Sequence, residues 1–148
     1  MTSPAPHDRL YFEDVSLDLE LESPAVTVTE AHVGLFGGLT DDRPHDAQAV
    51  PELLPVCISS GLGWRLAGPP LAVLAFMGFE WRFLRPVRVG DTVHCVSKSV
   101  GKRLLREGGV VIEERKVLNQ HGEVVQSGKL MLLVAKRPAS GGGAAGPS

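Results

Sequence analysis

Cysteine is scarce: Cys57 and Cys95 are the only two. They form no CxxC pair and have no histidine at metal-ligand spacing, so neither a disulfide framework nor a metal site is expected, and both thiols read as buried apolar fillers. An excess of basic residues is also missing, with Lys plus Arg at 15 against Asp plus Glu at 17. Without that excess the chain lacks what binding to a phosphate backbone requires, and nucleic acid is not an expected partner. No long hydrophobic run is present: the longest, Leu71 to Phe79, stops at Glu80, well short of the ~20 residues that cross a bilayer. No membrane partner is expected. Met1 to Arg9 is polar and contains proline, without the basic-then-apolar order of a secretory signal, and the expected location is the cytoplasm. Internal repeats are absent, and 148 residues are too few for a two-domain enzyme. An active site must be completed within this domain or by a second copy of it.

What is present is an ordinary globular composition, 43% hydrophobic and 22% charged, enough to bury a core. Pro138 to Ser148 contains only Pro, Ala, Ser and Gly, so a disordered tail is expected there. A flexible stretch over residues 1–8 and a folded domain over 9–137 complete the division. Thr29 before Glu30 and Ala31 reads as an N-cap for a helix running towards Gly37. Val50, Leu53, Leu54, Cys57, Ile58, Gly61 and Leu62 make the stripe of a helix with one face in a core. Pro55 interrupts that stripe, so the spacing predicts a brief turn over Pro51 to Leu54 and a main helix starting between Pro55 and Gly61. Beyond Gly68, Pro69 and Pro70 the period changes to two: Met77, Phe79, Trp81 and Phe83 alternate with Gly78, Glu80 and Arg82. Further β-rich runs follow over Thr92 to Val100, Gly109 to Asn119 and Glu123 to Val134, separated by turn residues. The expected fold class is α+β, a single antiparallel sheet wrapped around a central helix.

Phe83 to Thr92 reads FLRPVRVGDT and closely resembles the F-x-x-P-V-x-x-G-D-T strand-turn-strand of MaoC-like hot-dog dehydratases, the (R)-specific enoyl-thioester hydratase family. Weaker similarities stand in the right order: YFEDV at Tyr11 to Val15, the T-V-T-E and F-x-x-L-T runs between Thr27 and Thr40, and NQHGEVVQ at Asn119 to Gln126. The resemblance implies a single hot-dog domain. It also implies a hydro-lyase that adds water to, or removes it from, a 2-enoyl or 3-hydroxyacyl thioester carried on coenzyme A or an acyl carrier protein. Neither metal nor redox cofactor is implied. A lone sheet edge needs covering, so a homodimer or higher homo-oligomer is expected.

The family signature G-D-x-N-P-x-H supplies a carboxylate and an imidazole that together activate one water. Here the corresponding stretch is Leu39, Thr40, Asp41, Asp42, Arg43, Pro44, His45 and Asp46. Anchoring on Pro44 equates Asp41 with the aspartate but puts Asp46 in the histidine slot. Anchoring on Leu39 and Thr40 equates Asp42 with it and requires a deletion. The asparagine is absent either way. Asp41, Asp42 and His45 are therefore candidate catalytic residues under three open readings: a working dehydratase, a relative recruited to cyclase or isomerase chemistry on a polyketide-like substrate, or a solvated turn in a noncatalytic hot-dog partner subunit. A thioesterase is a further alternative on this fold. Gly61 is the candidate for the family glycine whose helix-start amides polarise the thioester carbonyl. Ser60 beside it, with Trp64, Phe79 and Trp81, would bind the acyl group, although residues at such spacing equally build a core.

Overall fold

The computed structural model describes residues 8–139. Most of the expected glycine-rich tail and nearly all of the expected flexible N-terminus lie outside these residues.

The early capping signal is used. Thr29 Oγ1 accepts from the His32 amide at 3.4 Å while His32 Nδ1 accepts from the Thr29 amide at 3.0 Å, which satisfies donors at both ends of the cap. The helix that follows, α1 (Glu30–Thr40), outlasts the expected stop at Gly37. It ends at Asp41, in the left-handed region with φ 58°, whose amide closes on the Gly37 carbonyl at 2.9 Å.

The second helix, α2 (Leu53–Leu62), is unbroken. The expected split at Pro55 does not occur because Pro55 falls in the first turn, where no intrahelical N–H is needed. Leu54 and Leu62 of α2 pack against Val93 and Cys95, Val117, and Val125. Of the two thiols Cys95 is buried, but Cys57 is exposed and fills no core.

Six strands form the sheet: β1 (Glu20–Glu22), β2 (Val26–Thr27), β3 (Val73–Phe83), β4 (Thr92–Leu105), β5 (Gly108–Leu118) and β6 (Val124–Val134). The order is β1-β4-β5-β6-β3, with β2 also paired to β4, and every strand pairing is antiparallel. The architecture is the expected one, a single antiparallel sheet around one central helix. A second core cluster joins Phe12 and Val15 of the N-terminal segment to Val111, Leu130, Leu132 and Val134.

The FLRPVRVGDT stretch forms the turn between β3 and β4. Asp91 Oδ2 accepts from the Arg88 amide at 2.9 Å, and Gly90 takes φ 95°, a conformation that glycine alone adopts without strain. The β5–β6 turn is closed by Asn119, whose Oδ1 accepts from the amides of His121 at 3.0 Å and Glu123 at 3.1 Å.

Two facts about β3 position the rest. It is the terminal strand of the sheet, so one of its edges is unpaired. It also carries a register shift between Phe76 and Gly78, and such a bulge breaks the period of two. The simple alternation from Met77 is thereby corrected: Phe76, not Met77, shares a cavity wall with Phe79 and Trp81. Phe76 and Phe79 meet edge to face with ring centres 5.9 Å apart, and Phe79 and Trp81 do so at 6.4 Å.

Candidate functional site

The loop between the helices does not pair its carboxylates with its imidazole. Asp41 is 92% exposed and bonds Arg43 Nε at 3.2 Å. The Asp42 amide donates to Thr40 Oγ1 at 3.1 Å. His45 is exposed, and among the described residues no hydrogen bond joins it to Asp41 or Asp42. The residue that organises the loop is Asp46. Its Oδ1 accepts from the Gln48 amide at 2.9 Å and its Oδ2 from Arg88 at 3.3 Å. The Gln48 amide, with Arg88 behind it, holds the Asp46 carboxyl below its ordinary value. A histidine slot occupied by Asp46 is thus spent on the turn itself.

Gly61 must be reassigned. It lies in the last turn of α2, where amides are consumed by the helix and the free groups are carbonyls, the negative end of the dipole. The free amides belong to the helix start near Leu53, and even there the Leu54 amide is taken by the Pro51 carbonyl at 3.0 Å. The glycine expected at the helix start is absent; Glu52 stands there as N-cap. Gln126 fixes this end of α2: its Nε2 donates to the Glu52 carbonyl at 2.9 Å, while its Oε1 accepts from Trp81 Nε1 at 2.9 Å.

At the other end of α2 a cavity of about 430 Å³ opens, within the range typical of small-molecule sites. Ser60 and Trp64 line its helix side, and Val73, Phe76, Leu130 and Leu132 give it apolar sheet walls. A smaller cavity of about 40 Å³, bounded by Phe79 and Trp81 among others, adjoins it along β3, and Ser60, Phe76, Leu130 and Arg115 belong to both. Asp41, Asp42, His45 and Gly61 line neither cavity.

The floor of the larger cavity is polar. Glu113 and Arg115 of β5 have side chains only 7% and 5% exposed and form an ion pair through Glu113 Oε1, to which Arg115 donates from Nη2 and, at 2.9 Å, from Nε. Arg115 Nε also reaches Ser97 Oγ at 3.0 Å, and Nη1 donates at 2.8 Å to the Ser59 carbonyl near the end of α2, which also accepts from the Gly63 amide. Beside this pair the buried Cys95 thiol is pushed up by desolvation, an effect opposed by Ser59, Arg115 and Ser23.

Sequence reasoning missed Glu113 and Arg115. The signal was available: they share the strand parity of Val111 and Val117, all four are buried, and charges at core parity are expensive unless paired. Among the described residues no group of three His, Cys, Asp or Glu side chains is placed to hold a metal ion, and no helix is long and apolar enough to cross a membrane.

No protein-family model matches the sequence, and no curated protein does. Solved structures do. The monoamine oxidase regulatory protein of Archaeoglobus fulgidus is 28% identical, with a TM-score of 0.78 over 88% of this chain and 97% of that one. A MaoC-like dehydratase from Rhodospirillum rubrum is 25% identical, with a TM-score of 0.76 over 87% of this chain and 99% of the other. An R-hydratase from Pseudomonas aeruginosa shares the fold at 18% identity and a TM-score of 0.74, covering 86% of this chain and 87% of that one.

Proposed function

The chain is a MaoC-like hot-dog protein, and from that premise we propose that it is a dimeric hydro-lyase acting on a 2-enoyl or 3-hydroxyacyl thioester of coenzyme A or an acyl carrier protein. The observation that carries this reading is the placement of the loop and the cavity relative to β3. The start of β3 lies at the cavity, since Val73 and Phe76 line it with Ser60 and Trp64. Its end lies at the start of α2, since Trp81 reaches Glu52 through Gln126. The 41–49 loop runs into that same end, bridged at Ala49 to Arg88 and at Gln48 to Val89.

Within one chain the loop and the cavity therefore sit at opposite ends of α2, about 15 Å apart at 1.5 Å of rise per residue. Leu74, Phe76, Met77, Phe79 and Phe83 of β3 are all exposed, an apolar unpaired edge of the kind that invites a second strand. Antiparallel pairing of β3 with its copy about a two-fold axis lays the end of one strand beside the start of the other. The loop of each subunit then faces the cavity of its partner. Burial under that partner would bring His45 and one of Asp41 and Asp42 to the mouth where the thioester enters.

The chemistry follows from a paired acid and base. In hydration the base takes a proton from water as its oxygen bonds C3 of the enoyl group, and the acid gives a proton to C2; elimination is the reverse. Ser60 and Trp64, with Phe79 and Trp81 beyond, hold the acyl group. Two measurements test the reading together: molar mass in solution by light scattering, and loss of enoyl absorbance on adding 2-enoyl thioesters. A dimer that turns them over is expected; a monomer, or a protein inert to every enoyl and 3-hydroxyacyl thioester, overturns it.

A second reading is favoured by the bond from Asp41 to Arg43 and the absence of one to His45. On this reading the protein is a cyclase, an isomerase or a noncatalytic partner subunit that keeps the cavity and does without the water-activating pair. A dimer that binds thioesters without hydrating them would select it.

A further inference from the structure

The floor of the large cavity makes a demand on whatever fills it. Each of the three guanidinium nitrogens of Arg115 already donates, to Ser97, Glu113 or the Ser59 carbonyl. The Glu113 carboxylate is less complete. Both bonds from Arg115 fall on Oε1, and among the described residues Oε2 accepts none. Oε2 is not sealed inside protein, since Ser59 Oγ is the one described side-chain atom that is both fully occluded and unpartnered. The surface it keeps belongs to a side chain 93% removed from solvent that lines the cavity. A carboxylate oxygen in an apolar enclosure is costly until a donor meets it.

We propose that the ligand of this cavity is an apolar chain bearing a hydroxyl or enol, whose O–H donates to Glu113 Oε2. In terms of the thioester reading, on which this step rests for its substrate, the acyl group is oxygenated along its length rather than a plain saturated chain. The thioester stays at the mouth and the distal O–H reaches the floor. Glu113 is then a specificity-determining residue, and Arg115 a positioning residue that fixes which carboxylate oxygen faces the ligand. Selection works against both alternatives: a saturated tail leaves Oε2 unpaired, and a terminal carboxylate meets it with like charge.

Binding by calorimetry tests this on the full chain without any turnover, using n-octanol, its methyl ether and octanoate as probes. The alcohol should bind at least about tenfold more tightly than the ether, the expected worth of a hydrogen bond to a charged group, with octanoate weakest. Glu113→Gln turns the cavity-facing atom towards a donor and should cut the octanol to ether ratio to about threefold or less. The double variant Glu113→Met with Arg115→Met removes the pair without stranding a charge, keeps the fold measurable if the single change unfolds it, and should abolish the ratio. Equal binding of alcohol and ether, octanoate as the tightest probe, no binding of any probe, or a ratio unmoved by both variants would overturn the assignment. The two failures are separable. A chain inert to thioesters but selective for the alcohol keeps the site and loses the hydro-lyase. One that turns over thioesters without discriminating the probes does the reverse.

Discussion

Gly63 is the floor under Arg115: a Cβ at that position would stand 2.5 Å from Nη2 and 2.9 Å from the guanidinium carbon. The guanidinium is already pinned to Glu113, Ser97 and the Ser59 carbonyl, so it cannot retreat without stranding a buried charge. Gly63→Ala should therefore cost about 1–3 kcal/mol in urea denaturation, the usual scale for overpacking. Gly61→Ala, where nothing lies within 4 Å of the added carbon, should instead be neutral or stabilising by up to about 1 kcal/mol through helix propensity. Equal effects at the two glycines would show that Arg115 is not held as described.

Asp91 and Gln120 join two hairpin turns. Gln120 Nε2 donates to Asp91 Oδ1 at 2.9 Å, and its Oε1 accepts from the Thr92 amide at 3.1 Å. Asp91→Ala should lower stability by about 1–2 kcal/mol. With Gln120→Ala it should show a coupling of at least about 0.5 kcal/mol in a double-mutant cycle. Additive losses would mean that the two turns fold independently.

The unpaired edge of β3 makes a charge test of the proposed dimer. Met77 is 53% exposed in the single chain, so Met77→Lys should leave the fold intact while setting like charges against each other across a two-fold axis. Molar mass should fall to that of the monomer with melting behaviour otherwise cooperative. On the proposed reading, in which the partner's loop completes the site, thioester turnover should fall with it.

In the loop, His45→Ala should slow hydration by about 100-fold or more with folding unchanged. Asp41→Asn and Asp42→Asn should separate into one similarly slow variant and one that behaves as a surface change, within about 0.5 kcal/mol of stability. Asparagine is chosen because it tolerates the left-handed conformation of residue 41. Unchanged turnover in all three would leave the loop without a catalytic part.

Acid should loosen one wall of the cavity before the sheet. Glu13 Oε2 accepts from the Arg137 amide at 2.8 Å, Asp14 Oδ2 accepts from the Tyr11 amide at 3.0 Å, and Arg137 pairs with Asp14. The Arg137 amide lowers the Glu13 carboxyl below its ordinary 4.5, and the Tyr11 amide chiefly lowers that of Asp14 below 3.8. With depressed folded values, this attachment is complete above those ordinary values and is lost as pH falls through the folded ones. Amide exchange at Phe12 to Val15 should therefore accelerate below about pH 4, while β5 stays protected.

The sheet was legible because its strands alternate and their turns carry Gly, Asn and Asp where the backbone needs them. Gly90, Asp91, Asn119 and Gly122 all do what such residues do in turns. Thr29 announced α1 for the same local reason. The start of α2 was misread because Pro55 is compatible with either side of a helix boundary, and only packing through Leu54 and Gln126 decides. That error carried Gly61 with it. The bulge in β3 was invisible because it depends on pairing with β6 rather than on β3 alone. Pairing of Asp41 or Asp42 with His45 is a question of tertiary contact that spacing cannot answer.

Gln126 has a further meaning for the loop that precedes α2. One amide holds the Glu52 carbonyl on one side and the Trp81 indole on the other, so the beginning of α2 is referenced to the edge strand and not to the chain leading into it. Residues 42–45 then behave as slack between two fixed points, Asp41 at the end of α1 and Asp46, which with Gln48 and Ala49 is tied to the β3–β4 turn. A residue lost or gained there changes the loop and leaves α2, the cavity and the β3 edge in register. A change of length is thereby absorbed in the segment that carries Asp42 and His45.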